Sequence, residues 1–196
     1  MSTRAKCVIV TVIAVEGSAP REVGARMVVD AVGFEGTIGG GALEFEAQAQ
    51  ARALLASADA GPAWDREVRT VLLGPDLQQC CGGRVDVLFE IEASLDEAPG
   101  AESIIVRPLV SGVAPRRVSL RREARDLPLA VAGPVQDMLS GLRDRTLTLV
   151  DVGGTTWLVE PAAVERRQVF VYGAGHVGRA LVRMLDELPF DVTRSE

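Results

Sequence analysis

The sequence predicts an α/β protein, with a mixed-sheet N-terminal domain over residues 1–165 and the first strand and helix of a truncated Rossmann-type domain over residues 166–196. Three observations predict it. Apolar, β-branched runs of strand length recur from residue 7 onward. One long segment, residues 42–58, is rich in Ala, Leu, Glu and Gln and sets Leu43, Ala47, Ala51, Leu54 and Leu55 near one helical face. Near the C-terminal end, an apolar run at residues 169–172 leads into a Gly-x-Gly-x-x-Gly turn at residues 173–178 and then an amphipathic stretch, the context that lifts such a turn above a chance match.

The elements follow in order. Residues 7–15 are apolar on both parities, which suits a central strand covered on both faces. The turn residues 17–21 end it, and residues 26–32 read as a second strand that turns at Gly33 into residues 36–38. Three glycines then open the helix at 42–58. Residues 69–73 and 85–91 are two further strands, joined by a polar, glycine-rich connection. Beyond them come short strands at 103–110 and 117–120, a helical turn at 136–142, and a hairpin of 146–152 with 156–159 across Gly153-Gly154. Residues 161–167 read as a linker, because charged residues separate that hairpin from the apolar strand at 169–172.

Composition narrows the function classes. At 196 residues and 47% hydrophobic content the chain can bury a sizeable core, yet its longest apolar runs stop well short of the roughly 20 residues a membrane helix needs. The N-terminal residues show no secretory cleavage pattern, so a cytoplasmic location is expected. A net charge of −6 argues against a general nucleic-acid binder, because neutralising phosphates takes clustered Lys and Arg. The one basic cluster, Arg116, Arg117, Arg121, Arg122 and Arg125, is diluted by Glu123 and Asp126 and reads as a solvated face. Three Cys, two of them adjacent, make no disulfide framework, and with a single His the chain is short of ligands for structural zinc.

Three constellations carry chemistry. The first joins Gly17-Ser18-Ala19-Pro20-Arg21 to Gly39, Gly40 and Gly41 at the start of the helix. Glycines allow close backbone approach, free N–H groups of the first turn attract an anion, and Arg21 adds a bidentate contact. Glu44, in that first turn, either accepts from a heterocycle N–H or opposes the helix dipole. The second is Gln79-Cys80-Cys81-Gly82-Gly83 between two strands. A thiolate flanked by glycines suits a soft or sulfur-bearing metal centre, while the plainer alternative is that one Cys packs as a small hydrophobe. The third is the turn of Gly173, Gly175 and Gly178, in which His176 reads as a turn position rather than a general base. Glu196 stands where a ribose-binding acid is expected, but Arg194 and Ser195 stand where an apolar second strand should continue, so NAD(P) binding is doubtful.

In this order the motifs resemble the XdhC/CoxI family. Its pattern is a Gly-Ser-x-Pro-Arg turn (17–21), a Gly-Gly-Gly-x-x-Glu helix start (39–44), a Cys-Gly-Gly loop (81–83, with Cys80 giving the double-Cys form) and a Gly-Ala-Gly-His-Val-Gly entry (173–178). The segment before the first strand is about six residues, where the family usually starts with a helix.

The resemblance implies a maturation factor rather than an enzyme. Such a factor binds molybdenum cofactor, protects it while a cysteine desulfurase supplies the terminal sulfur, and delivers it to apo xanthine dehydrogenase or a related molybdenum hydroxylase. Carried over, Cys81 with Cys80 faces the molybdenum or its sulfur, and Arg21 with the 39–41 turn receives the pterin phosphate. A truncated Rossmann unit would leave an unpaired edge and an exposed apolar face, which favours association, a homo-oligomer included. Two other readings need different features: a nucleotide-dependent oxidoreductase needs a complete dinucleotide site and a proton-transfer group, and a non-catalytic partner needs only a surface for the target enzyme.

Overall fold

The computed structural model describes residues 6–57, 64–77, 81–92, 103–162, 167–173, 175–186, 188 and 190–195. The fold is α/β, and its N-terminal part holds two antiparallel sheets rather than one mixed sheet. The first sheet runs β3-β2-β1-β5-β4, built from β1 (Cys7–Glu16), β2 (Arg26–Val29), β3 (Phe34–Gly36), β4 (Arg66–Leu72) and β5 (Arg84–Glu92). As its two-sided apolarity requires, β1 is central, paired with Met27 and Arg26 on one side and Val87 and Leu88 on the other. A register shift between Val12 and Ala14 marks a bulge there.

Helix α1 (Gly41–Ser57) leaves the sheet at edge strand β3 and returns to edge strand β4, so it crosses one whole face. Strand alternation supplies the packing: Val8, Val10 and Val12, Met27 and Val29, and Val85, Val87 and Phe89 meet Leu43, Ala47 and Ala51 of the helix in one core cluster. Each fully buried Val or Leu there contributes about 1.5–3 kcal/mol of hydrophobic stabilisation.

The second sheet runs β7-β6-β9-β8, from β6 (Ile104–Pro108), β7 (Arg116–Val118), β8 (Thr148–Val152) and β9 (Thr155–Pro161). The hairpin of β8 and β9 turns at Gly153-Gly154, both with positive φ, as the sequence predicts. Its outer face packs on α2 (Leu129–Leu139), which buries Val131, Ala132, Val135 and Met138 at helical spacing, with a 3-10 turn at Arg121–Asp126 beside it. Only the end of α2 lies in the predicted turn at 136–142. The internal Gly133-Pro134 masks its start, since proline removes a helical hydrogen bond, and here burial of the apolar face outweighs that loss.

The remaining faces of the two sheets meet each other, giving the layer order helix, sheet, sheet, helix. Ile13, Leu88 and Leu158 form a small apolar cluster in this seam. Around it runs a ladder of charges: Arg26 pairs with Glu160, Glu160 with Arg107 (2.6 Å), Arg107 with Glu90 (2.6 Å), and Glu90 with Arg66 (3.2 Å). Arg66 also donates through Nη1 to the carbonyls of Pro108, Val110 and Val113, pinning that loop to the first sheet. Burial opposes the charge of Glu160, but Arg26 and Arg107 outweigh it and hold its carboxyl below the usual range. Sequence reading did not single out these five residues, although Glu90 and Arg107, each set in an apolar run, are the trace the ladder leaves.

The C-terminal part is a βαβ unit: β10 (Arg167–Tyr172), α3 (His176–Asp186) and β11 (Phe190–Ser195), with β10 and β11 parallel from Arg167↔Phe190 to Tyr172↔Ser195. The predicted strand and helix are present, and the unit also has the second strand that Arg194 and Ser195 argued against. In β11 only Phe190 and Val192 are half-buried while Asp191, Thr193 and Arg194 are exposed, so one-sided cover suffices and a two-sided apolar run is not required. In the linker, Pro161 ends β9, and residues 163–166 lie outside the described residues.

Candidate functional site

The 17–21 turn is the hub of the site, because it follows the central strand and touches both other N-terminal loops. On one side, Gly83 donates its N–H to the Ser18 carbonyl at 3.0 Å and gives its own carbonyl to the N–H of Leu73 at 2.9 Å. A methyl group at Gly83 would stand 2.3 Å from the Ser18 oxygen and 2.6 Å from the Glu16 oxygen, so backbone approach makes glycine obligatory there. On the other side, a methyl group at Gly39 would meet Pro20 at 2.5 Å and Arg21 Cγ at 3.5 Å. The sequence predicted these loops without placing them together; the structure brings them into contact around one turn.

Gly39, Gly40 and Gly41 all have positive φ, at 124°, 72° and 65°, a succession that L side chains rarely adopt. The N–H groups that this turn gathers are met by Glu44. Its Oε2 accepts from the Thr37 hydroxyl (2.6 Å), the Gly40 N–H (3.1 Å) and the Ile38 N–H (3.2 Å). Burial opposes ionisation of Glu44, but the bonds from Thr37 and the glycine-turn amides outweigh it and keep its carboxyl below the usual range. Glu44 thus accepts from groups at the helix entry, beside the positive end of the helix dipole. Arg21 is likewise engaged: its Nη2 lies 3.0 Å from Glu22 Oε1 and its Nε 3.2 Å from Oε2. The Ser18 side chain is exposed.

Cys81 is a free, half-buried thiol that packs against the first core cluster, and Gly82 beside it meets no neighbouring atom where a side chain would begin. Gln79 and Cys80 lie outside the described residues. Among the described residues no three His, Cys, Asp or Glu side chains gather as a metal-binding group.

The third constellation belongs to the βαβ unit. A methyl group at Gly178 would stand 2.3 Å from the Gly173 carbonyl, so the last glycine of the motif serves close packing of helix on turn. Gly175 is exposed with open space around its Cα, and His176 is exposed, with Nδ1 against the Arg179 guanidinium. Of the basic cluster, Arg121, Arg122 and Arg125 are exposed, while Arg116 and Arg117 are half-buried, Arg117 donating to Ser103 Oγ and Arg116 facing Asp126. No helix among the described residues is long and apolar enough to cross a membrane.

Comparison with known proteins bears on this geometry. No curated protein matches the sequence. Among solved structures, the fold is similar to a crystal structure titled as a xanthine dehydrogenase from Bacillus halodurans, with a TM-score of 0.59 at 16% identity. The match covers 98% of this chain and 59% of the other, so the chain spans less than two thirds of that structure's length. The model of the XdhC and CoxI family matches residues 1–63, the segment that holds both the 17–21 turn and the 39–44 helix entry. Over that segment the chain is similar to the XdhC and CoxI family.

Proposed function

We propose that this chain is an accessory protein of molybdenum-hydroxylase maturation. It binds molybdenum cofactor, shields it while a cysteine desulfurase supplies sulfur, and hands it to apo xanthine dehydrogenase or a related enzyme. The observation that carries the reading is the contact of three loops at one turn: Gly83 on Ser18, and Gly39 on Pro20 and Arg21. That contact sets a guanidinium, a glycine turn and a thiol-bearing loop around one short segment, a donor set that fits a ligand with a phosphate at one end and a soft metal at the other.

In this reading the Arg21 guanidinium and the amides of residues 39–41 hold the phosphate. Gly82, with open space where a side chain would begin, leaves room beside Cys81, and Cys80, its neighbour in sequence, is assigned to the cofactor with it. The chain contributes binding and exclusion of water, and the cofactor is its cargo. The 1–63 match and the similarity to a structure titled as a xanthine dehydrogenase support the class of target.

The test is retention. Protein purified from cells that make the cofactor is expected to release a fluorescent oxidised pterin, and Cys81→Ala is expected to lower the yield several-fold with the fold intact by circular dichroism. Equal pterin in Cys81→Ala, Cys80→Ala and wild type would sink the thiol assignment. No pterin in wild type would sink the reading itself.

A further inference from the structure

Two donor groups of the proposed site come from different elements, and each is already satisfied by a carboxylate of the chain itself. Arg21, in the turn before β2, is gripped through Nε and Nη2 by both oxygens of Glu22, the fork geometry a phosphate would also use. The amides at the entry of α1 converge on Glu44 Oε2. The loops that carry them touch, since the stem of Arg21 passes 3.5 Å from where a Gly39 side chain would begin. The Arg21 and Glu22 side chains are 38% and 70% exposed, so this pair can open without exposing a core.

We infer that Glu22 and Glu44 are internal stand-ins for a ligand's anionic oxygens, and that loading the site is an exchange of these carboxylates for the ligand. The inference rests on the reading of the site given above. Its consequence is selectivity. A bare phosphate gains only contacts that Glu22 and Glu44 already make, and it meets their like charge. A ligand that also engages the Cys81 loop brings binding energy from elsewhere to displace them. Glu22, a residue no motif points to, thereby becomes part of the recognition machinery.

The probe is inorganic phosphate, titrated at low ionic strength into the full chain and followed by the amide resonances of Gly39 and Gly40. Glu44→Gln is expected to tighten phosphate binding about tenfold, the effect of removing one like charge at a partly shielded site. Glu22→Gln is expected to tighten it about two- to fivefold, the range an exposed ion pair spans. In an Arg21→Gln background the Glu22→Gln gain should vanish while the Glu44→Gln gain persists. Thr37→Val removes the hydroxyl that tethers Glu44 and also frees the Gly39 N–H, which that hydroxyl accepts from at 3.1 Å, so it should act in the same direction as Glu44→Gln even if glutamine disturbs the turn.

If wild type retains pterin and no variant binds phosphate more tightly than wild type, the exchange is overturned and the reading of the site stands. If the variants do tighten phosphate while wild type retains no pterin, the exchange stands and the identity of the cargo is what falls. Absence of both effects overturns both.

Discussion

The four-layer body and the C-terminal βαβ unit both lead a strand through a glycine turn into a helix, but they treat the surfaces around that turn in opposite ways. In the body, the turn at residues 39–41 is closed by Glu44, backed by Pro20 and linked through the 17–21 turn to the Cys81 loop. Both sheets there bury one face on a helix and the other in a seam that includes a charge ladder. In the βαβ unit the turn keeps one tight contact, Gly178 on Gly173. Its helix buries none of Val177, Leu181 and Met184, and on the opposite sheet face Phe170 and Tyr172 are 54% and 79% exposed. A glycine motif therefore specifies a backbone path, while the residues that face the turn decide whether it ends as a closed structure or as an open surface.

The largest effect should come from the seam. Glu160→Ala leaves Arg107 buried and short of one of its two carboxylates, and breaking a buried pair from one side costs about 3–5 kcal/mol. Urea unfolding of the variant is expected to show that loss with the slope unchanged. A loss below about 1 kcal/mol would mean the ladder rearranges freely and the body is not held in this way. Next in size are two glycines with the same obstacle, a carbonyl 2.3 Å from the new methyl group. Gly83→Ala should cost about 2–4 kcal/mol of global stability, because the displaced segment leads into β5 of the first sheet. Gly178→Ala should leave the body's unfolding midpoint in place and instead speed proteolysis between residues 173 and 188. Equal global losses would erase the distinction between the two regions.

How much of this was legible depends on the range over which each signal acts. The central position of β1, helix α1 and the hairpin across Gly153-Gly154 were readable because periodicity and turn residues are local. Most of α2 was not, since Gly133-Pro134 breaks the local signal and the face that rescues it is tertiary. In the site, the glycines of 39–41 and 83 were singled out, and their positive φ or close approach explains why no other residue stands there. The contact between the Cys81 loop and the 17–21 turn was not readable, because it joins backbone groups more than 60 residues apart in sequence. The engagement of Arg21 by Glu22 was also missed: adjacent opposite charges are common on surfaces, and only geometry distinguishes a bidentate grip.

The smallest effect tests the closure of the 39–41 turn against the openness of its C-terminal counterpart. Glu44→Gln keeps the shape of the side chain but loses the charge behind its hydrogen bonds, and it should cost about 0.5–1.5 kcal/mol at neutral pH. The pH dependence gives the sign. The folded carboxyl titrates below its unfolded value, so Glu44 contributes stability above the ordinary range near pH 4.3, and that contribution is lost as pH falls through its lower folded value. The difference between wild type and Glu44→Gln should therefore be constant from pH 8 to about pH 5 and should shrink steadily below that. Glu160 remains in both proteins, so its own acid sensitivity cancels in the comparison. A gap that stays constant into strong acid would show that the charge of Glu44 does not hold the turn, and the contrast between a closed and an open glycine turn would then rest on Pro20 and the backbone alone.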